Sequence, residues 1–592
     1  MSNIQNLNKP KDAFEQLEEE SGQCQSICHI RIQQRTGRKT ITTVQGIATE
    51  YDLKKIVRYL KKSTSAYVAV MKTFVGCLIV RLASVFLIKT SFAPDEIFQS
   101  LEPAHNYVFG SGHLTWEWSS KIRSPFHVLL ISGLYQVLQL CGIDSTWTII
   151  HGPRILHAIL FAVGDYYFTK LASKILKDKK AEHIALLLIL TNWFMFYCGP
   201  RTLSNSLECV LTTIALNYYP FDKEKKIDSY TNFWYIPIGL FSTCVRPTSV
   251  LLYIPLGINH LWQCEAKLRL LFVHVIPHTV FVLLVSQICD FWFYQTFDNS
   301  LWNFAKFNVF DGGSAFFGTN PWYYYLLDGL PALLTVNMAT AVAFVALPAK
   351  KPSLLLYGTG VFYVLIHSLL PHKEHRFMLP VLPIFILYSA YFIRFLNLKR
   401  FTKMYLSSIG LSVALNLSLI FFFGTYHQAG PNETIQKLHS ILPLNRLSSI
   451  YYLTPCYNLP QYSYFHDHPV QIEALDCQPN LKNISGYVSP STHFIKNAST
   501  WFEENKKEVL SSDYIVIYQS SYEVIKNGLE DLFEICYKSY HGPIDFNCNG
   551  TLVEHPEYGQ VIQLSGDQRN SSKAFLCRVG IVKDENCKVH GF

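Results

Sequence analysis

Between about residue 73 and residue 425 the chain is a succession of apolar runs, each roughly 16–25 residues long, separated by short polar gaps. A helix needs about 20 such residues to cross ~30 Å of hydrocarbon, so runs of this length predict membrane spans. They fall near 73–90, 150–172, 183–199, 203–219, 231–246, 248–262, 270–290, 326–348, 353–371, 376–395 and 404–424. Residues 1–72 are polar, with the acidic run Glu18-Glu19-Glu20 and a basic stretch holding Lys54, Lys55, Arg58, Lys61, Lys62 and Lys72. From 427 to 592 the chain is polar again and carries strand-like patches such as Tyr514-Ile515-Val516-Ile517-Tyr518. The pattern therefore divides the chain into a polar segment at 1–72, a transmembrane domain at 73–426 and a C-terminal α/β domain at 427–592. The first apolar run starts some 70 residues in, which predicts an uncleaved anchor and not a cleavable signal peptide.

Composition narrows the class. The 592 residues are 49% hydrophobic and 16% charged, against about 25% charged in soluble domains. That excludes a disordered chain and a small disulfide-stapled domain. The net charge of +8 is mild, and Lys and Arg sit in short clusters between apolar runs. A nucleic-acid binder gathers them in a stripe or patch. The expected class is an α-helical polytopic membrane protein with no nucleic-acid partner.

Cytoplasmic loops hold the excess of Lys and Arg. With a cytosolic N-terminus, Lys177/Lys179/Lys180, Lys223/Lys225/Lys226, Lys267/Arg269, Lys350/Lys351 and Lys399/Arg400/Lys403 all fall inside. This agreement requires the apolar segment Phe126 to Gly142 not to cross, lying as a juxtamembrane helix on the far side. It gives about eleven spans and a C-terminal domain outside the cytosol. Six cysteines in that domain, Cys456, Cys477, Cys536, Cys548, Cys577 and Cys587, suit an oxidising lumen, although the sequence leaves their pairing open. The same region carries sequons at Asn432, Asn483, Asn497, Asn549 and Asn570 as expected glycosylation sites, whereas Asn416 lies inside a span and should be unused.

Candidate chemistry collects at the span ends on that far side. Pro94-Asp95-Glu96 opens the first such loop. Adjacent carboxylates there are general-base candidates, and the same three residues also make a favourable helix start. Trp116 and Trp118 can anchor at an interface or stack on a sugar. Arg201, Arg246, Lys373 and Arg376 add cations, which either snorkel to the interface or line a pocket. A cationic pocket facing a carboxylate suits transfer from a phosphate-linked donor, since Arg gives bidentate phosphate contacts and Lys a point charge.

Several ordered motifs together resemble glycosyltransferase family 22. They are Pro94-Asp95-Glu96 with Gln99, Ser100, Leu101, Glu102 and His105, then Thr115-Trp116-Glu117-Trp118, Arg123-Ser124 and Arg201-Thr202-Leu203-Ser204-Asn205. Tyr218-Tyr219-Pro220, Arg246-Pro247-Thr248, Phe304 to Val309 and His372-Lys373-Glu374-His375-Arg376-Phe377 continue the match over about 75–430. Asn320 stands where relatives often carry His. The resemblance implies a C-type glycosyltransferase fold with about eleven transmembrane helices, lumenal juxtamembrane helices and an endoplasmic reticulum membrane location with the active site in the lumen. It implies an inverting mannosyltransferase taking mannose from dolichol-phosphate-mannose, and it is nearest to the members that add the third mannose of the GPI-anchor precursor in α1,2 linkage. Asp95 is then the expected base and Glu96 its partner. Lys373 and Arg376 are the main candidates for the donor phosphate, followed by His372, Arg201 and Arg246. Gln99, Trp116, Glu117, Trp118 and Trp322 are substrate-binding candidates. A phosphate leaving group needs cations and no general acid, and the chain has no Asp-x-Asp pair, so neither metal nor cofactor is expected. The partners are the lipid donor, the mannosylated glycolipid acceptor and membrane lipids. The rival readings are a family 22 enzyme for the fourth GPI mannose or for N-glycan precursors, and a lipid or solute transporter. A transporter predicts inverted repeats, and the two halves show no self-similarity.

Overall fold

A computed structural model describes residues 29–34, 40–45, 52–221, 233–313, 316, 318–348, 351–399, 401–480, 486–539, 550–555 and 559–564. The expected cytosolic loop Lys223/Lys225/Lys226, residues Lys350 and Arg400, the sequons at Asn483, Asn549 and Asn570 and the cysteines Cys548, Cys577 and Cys587 lie outside the described residues. The chain divides into two compact units, Met1–Thr73 and Phe74–Phe592. In the first, His29–Gln34 pairs antiparallel with Thr40–Gln45, and the helix Leu53–Leu87 begins.

The second unit is helical through most of its length. Among the described residues four helices are long and apolar enough to cross a membrane: Val70–Leu87, Lys267–Tyr294, His375–Leu398 and Thr402–Ile441. Tyr325–Leu334 and Val336–Ala346 make a fifth if taken together, bent by 112° at Thr335, whose φ is +55°. Of the other apolar runs, 150–172 folds within the continuous 31-residue helix Thr146–Leu176, and most of the rest form shorter or interrupted helices. Phe126–Leu140, the segment expected not to cross, has 15 residues and rises only about 22 Å. The run at 183–199 is cut at Asn192 into Lys179–Thr191 and Trp193–Cys198.

Burial separates the centre of this bundle from its rim. The window of His375–Leu398 is 78% buried, whereas those of Val70–Leu87, Lys267–Tyr294 and Thr402–Ile441 are 22%, 17% and 11% buried. Apolar faces left open in this way are what a lipid-facing helix presents. Backbone groups freed by breaks in such a bundle must find internal partners, and polar side chains supply them. Asn192 accepts from Met195 N and donates to the Leu333 carbonyl, and Asn416 Oδ1 accepts from Trp193 N. Asn416 is fully buried.

The helix Thr146–Leu176 carries Asp165, which binds Arg81 in two parallel hydrogen bonds of 2.7 and 2.9 Å. Arg81 also donates to the Met195 carbonyl at 2.9 Å. Both side chains are essentially inaccessible. Removing one member strands the other charge, so Asp165→Ala should cost about 3–5 kcal/mol. A thermal melt of the detergent-solubilised protein, read by the loss of the monodisperse peak, checks this. A melt within error of wild type would refute it.

The polar C-terminal region forms a parallel sheet in the order Val470–Ala474, Ser448–Leu453, Tyr514–Ile517, so the patch at Tyr514 is an edge strand. The helix Gly430–Ile441 packs on one face, with Ile435 and Leu438 against Ile450 and Tyr452. Ala498–Leu510 packs on the other, with Trp501 and Phe502 against Tyr451 and Leu453. Cys456 and Cys477 form a disulfide, and Cys536 is free and exposed.

Candidate active site

Pro94 starts the helical run that carries both candidate carboxylates. The amides of Ile97 and Phe98 both return to the Pro94 carbonyl, Ile97–Leu101 is a π-helical turn, and Glu102–Phe109 continues as α-helix. A π-turn is uncommon and concentrates at functional sites. Asp95 and Glu96 occupy the first turn, as the helix-start reading expects, but their side chains turn away from their own backbone toward arginines from distant segments.

Asp95 Oδ2 meets Arg376 Nη1 at 2.6 Å and its side chain stays 19% exposed. Arg376 also clamps Glu374 through Nε and Nη2, both at 2.6 Å, and His372 Nε2 lies 2.9 Å from the same carboxylate. Burial alone would raise the Glu374 carboxyl. The Arg376 charge and the hydrogen bonds from His372 and Arg376 outweigh it and hold the group well below the usual carboxylate range. Glu96 is buried. Its carboxylate meets Arg201 Nη1 at 2.5 Å, and Arg201 Nη2 donates to the Thr90 carbonyl at 2.8 Å. The Arg201 guanidinium sits 4.0 Å from the Tyr197 ring centre. The two carboxylates thus have different surroundings: Glu96 is locked, and Asp95 keeps an open side.

A second layer faces them. Arg123 Nη2 meets Glu117 Oε1 at 2.5 Å, and Gln99 donates to Glu117 Oε2 at 3.1 Å. Arg246 Nη1 donates to Ser204 Oγ at 3.1 Å, and its Nε lies 3.2 Å from Glu208. Gln99, Arg123, Ser124, Ser204, Arg246 and Thr248 line one cavity. Arg123 feels the charge of Asp95, and Arg123, Arg246 and Arg376 are close enough to repel one another. In this cavity Arg123 Nε and Ser124 Oγ are buried without a hydrogen-bond partner among the described residues. Repelling guanidiniums around unsatisfied donors form a place where an anion is stabilised.

The remaining candidates lie around this centre. Lys373 donates to the carbonyls of Asn320 and Leu370 at 2.7 and 2.5 Å, and burial lowers its ammonium pKa. Asn320 returns a hydrogen bond from Nδ2 to the Lys373 carbonyl, so the loop before Trp322 is zipped to the His372–Arg376 loop. Trp322 itself is 64% exposed. Trp118 is buried and donates its indole N–H to the Phe98 carbonyl at 2.9 Å, while Trp116 packs on Phe307. Asn497 is exposed on the C-terminal region and caps the helix Ala498–Leu510 through its oxygen. Asn432 donates to the Lys89 carbonyl. Among the described residues no group of three or more His, Cys, Asp or Glu side chains is arranged to hold a metal ion. Arg123 and Glu208 received no role from the sequence. The signal was present for Glu208, one helical turn after Ser204 on the same face.

The Alg9-like mannosyltransferase family model matches residues 72–466. A second model, translation initiation factor SUI1, matches residues 24–79. GPI alpha-1,2-mannosyltransferase 3 of Homo sapiens is 34% identical over 424 residues, covering 71% of this chain and 74% of that protein. GPI mannosyltransferase 3 of Candida albicans is 31% identical over 482 residues, covering 79% and 94%. Among solved structures, ArnT from Cupriavidus metallidurans bound to undecaprenyl phosphate superposes with a TM-score of 0.53 at 10% identity, over 85% of this chain and 99% of that one. That likeness is one of fold.

Proposed function

The chain belongs to the Alg9-like mannosyltransferase family, and from that premise we propose that it transfers mannose from dolichol-phosphate-mannose to the GPI-anchor precursor in α1,2 linkage, adding the third mannose. It is a membrane glycosyltransferase. The observation that carries the catalytic part of the reading is Asp95, held by Arg376 with one side open, beside a cavity edged by Arg123 and Arg246. In an inverting transfer the acceptor hydroxyl attacks the sugar from the face opposite the phosphate, and one carboxylate suffices to take its proton. Asp95 has the exposure for that role. Glu96, paired with Arg201, holds the turn. The leaving phosphate gains charge as the glycosidic bond breaks, and guanidiniums already in place stabilise it without a proton donor or a metal.

The acceptor assignment rests on the names of the relatives. Lipid analysis of cells lacking the protein tests it. A GPI precursor with two mannoses should accumulate and disappear on re-expression, and accumulation of a three-mannose precursor or of truncated N-glycan donor would assign a different acceptor.

The same reading puts the active site in the lumen of the endoplasmic reticulum with about eleven spans, a cytosolic N-terminus and a lumenal C-terminal domain. The exposed sequon at Asn497 and the disulfide in that region support it. Asn497→Gln should abolish one glycan-dependent mobility shift, and a C-terminal tag should resist protease in sealed microsomes. A tag cleaved in sealed microsomes would instead favour an even number of spans, with Phe126–Leu140 crossing.

A further inference from the structure

Glu102 has no accessible surface and, among the described residues, no cation hydrogen-bonded to it. Its Oε2 accepts from His113 N at 2.9 Å. Its Oε1 accepts from Ser463 N at 2.9 Å, Ser463 Oγ at 2.7 Å and Gln461 N at 3.3 Å. All four partners are donors, which favours the ionised carboxylate, against the burial that raises its pKa. Three of them come from the C-terminal region, in the loop that the Cys456–Cys477 disulfide closes.

That loop grips the same helical run, and its supports, at further points. Thr146 N donates to Asp467 Oδ2 at 2.7 Å, and Asp467 N donates back to Thr146 Oγ1 at 2.9 Å. His105 Nε2 lies 2.9 Å from His466 Nδ1, and His105 Nδ1 bonds the Ser111 carbonyl. Tyr457 packs its ring 5.0 Å from that of Phe98. Burial depresses His105 to about 4, so the ring is neutral at neutral pH and one imidazole can donate to the other. The run that carries Asp95 and Glu96 is thus fixed at its far end by Glu102, with only the π-turn Ile97–Leu101 between. A π-turn persists where its surroundings over-determine it.

We propose that Glu102 is a positioning residue for mannosyl transfer, and that the disulfide-closed loop 456–477 is through it a working part of the active site. The inference rests on the reading that the carboxylate pair at Asp95 and Glu96 performs the reaction. A displacement of about 1 Å at a reacting group can cost 10²-fold in rate. If Glu102 loses these donors, the turn that aims Asp95 is free to relax.

The test uses the full-length chain in native membranes or detergent, with dolichol-phosphate-mannose and a mannosylated glycolipid acceptor. Glu102→Gln should lower kcat per mole of folded enzyme about 10²-fold, with KM for both substrates and the non-reducing mobility of the disulfide unchanged. The milder Ser463→Ala removes one of the four donors and should lower kcat about 10-fold, again without moving KM. Wild-type kcat in either folded variant overturns the proposal. So does a loss confined to yield, with the surviving protein turning over normally, because that is what a purely structural contact gives. Asp95→Asn in the same assay separates the two claims. If it keeps wild-type kcat while Glu102→Gln does not, the base assignment falls and the positioning role stands.

Discussion

Asp95→Asn should lower mannosyl transfer by about 10²–10⁴-fold, the range that loss of a general base costs, while the protein stays in the membrane at its normal level. The substitution keeps shape and volume. Arg376 retains its two bonds to Glu374, so no guanidinium is left without a partner. Glu96→Gln should behave differently. Glu96 neutralises a fully buried Arg201, and uncoupling that pair strands a charge at a cost of about 3–5 kcal/mol. Its main effect is therefore expected on the amount of folded protein. The measurement is initial rate per mole of folded enzyme alongside a melting curve for each variant. Near-normal turnover by a well-folded Asp95→Asn protein, with the activity lost in Glu96→Gln at unchanged stability, would move the base to Glu96.

The contrast between those two neighbours was only half visible in the chain. Pro94-Asp95-Glu96 stands out because it interrupts an apolar stretch at a span end, where charge is costly, and the same signal marks Arg201, Arg246 and Arg376. Lipid imposes long apolar runs, so the helical class of the fold was legible too. What the sequence does not hold is which charge meets which. Asp95 with Arg376, Glu96 with Arg201 and Arg81 with Asp165 join segments far apart, and spacing says nothing of such pairs. Lys373 shows the limit in another way. The motif brings it beside the site, yet its flexible stem delivers the ammonium to two backbone carbonyls. Trp118 could have been an interface anchor or a sugar platform from its residue type alone, and its burial with the indole N–H on Phe98 is decided by tertiary packing. The roles of Glu102 and Ser463 were out of reach for the same reason, because their contact depends on how the C-terminal region folds back.

Arg376→Ala should abolish most transfer, and Arg376→Lys should restore only a small part of it. The guanidinium contacts Asp95 with one nitrogen and Glu374 with two others, so it sets the direction of the base while contributing positive charge next to Arg123 and Arg246. A lysine keeps the charge but presents a single point instead of a planar fork. Its three N–H donors radiate from that point and cannot reproduce the two parallel bonds to Glu374 while also fixing Asp95. Two losses then combine: misorientation of the base and weaker stabilisation of the leaving phosphate, each worth about 10²-fold in comparable sites. The loss should appear in kcat, because charge on the leaving oxygen grows toward the transition state. Arg123→Ala makes a useful companion, since it thins the cavity's positive charge without touching the Asp95–Arg376 pair, and should lower transfer less steeply. The donor chemistry is tested in the same assay. Activity with dolichol-phosphate-mannose should persist in excess chelator, and GDP-mannose should be inert in membranes unable to make the lipid donor. Full loss of activity in EDTA, or turnover of GDP-mannose in such membranes, would rule out arginine-based stabilisation of a lipid phosphate as the basis of catalysis.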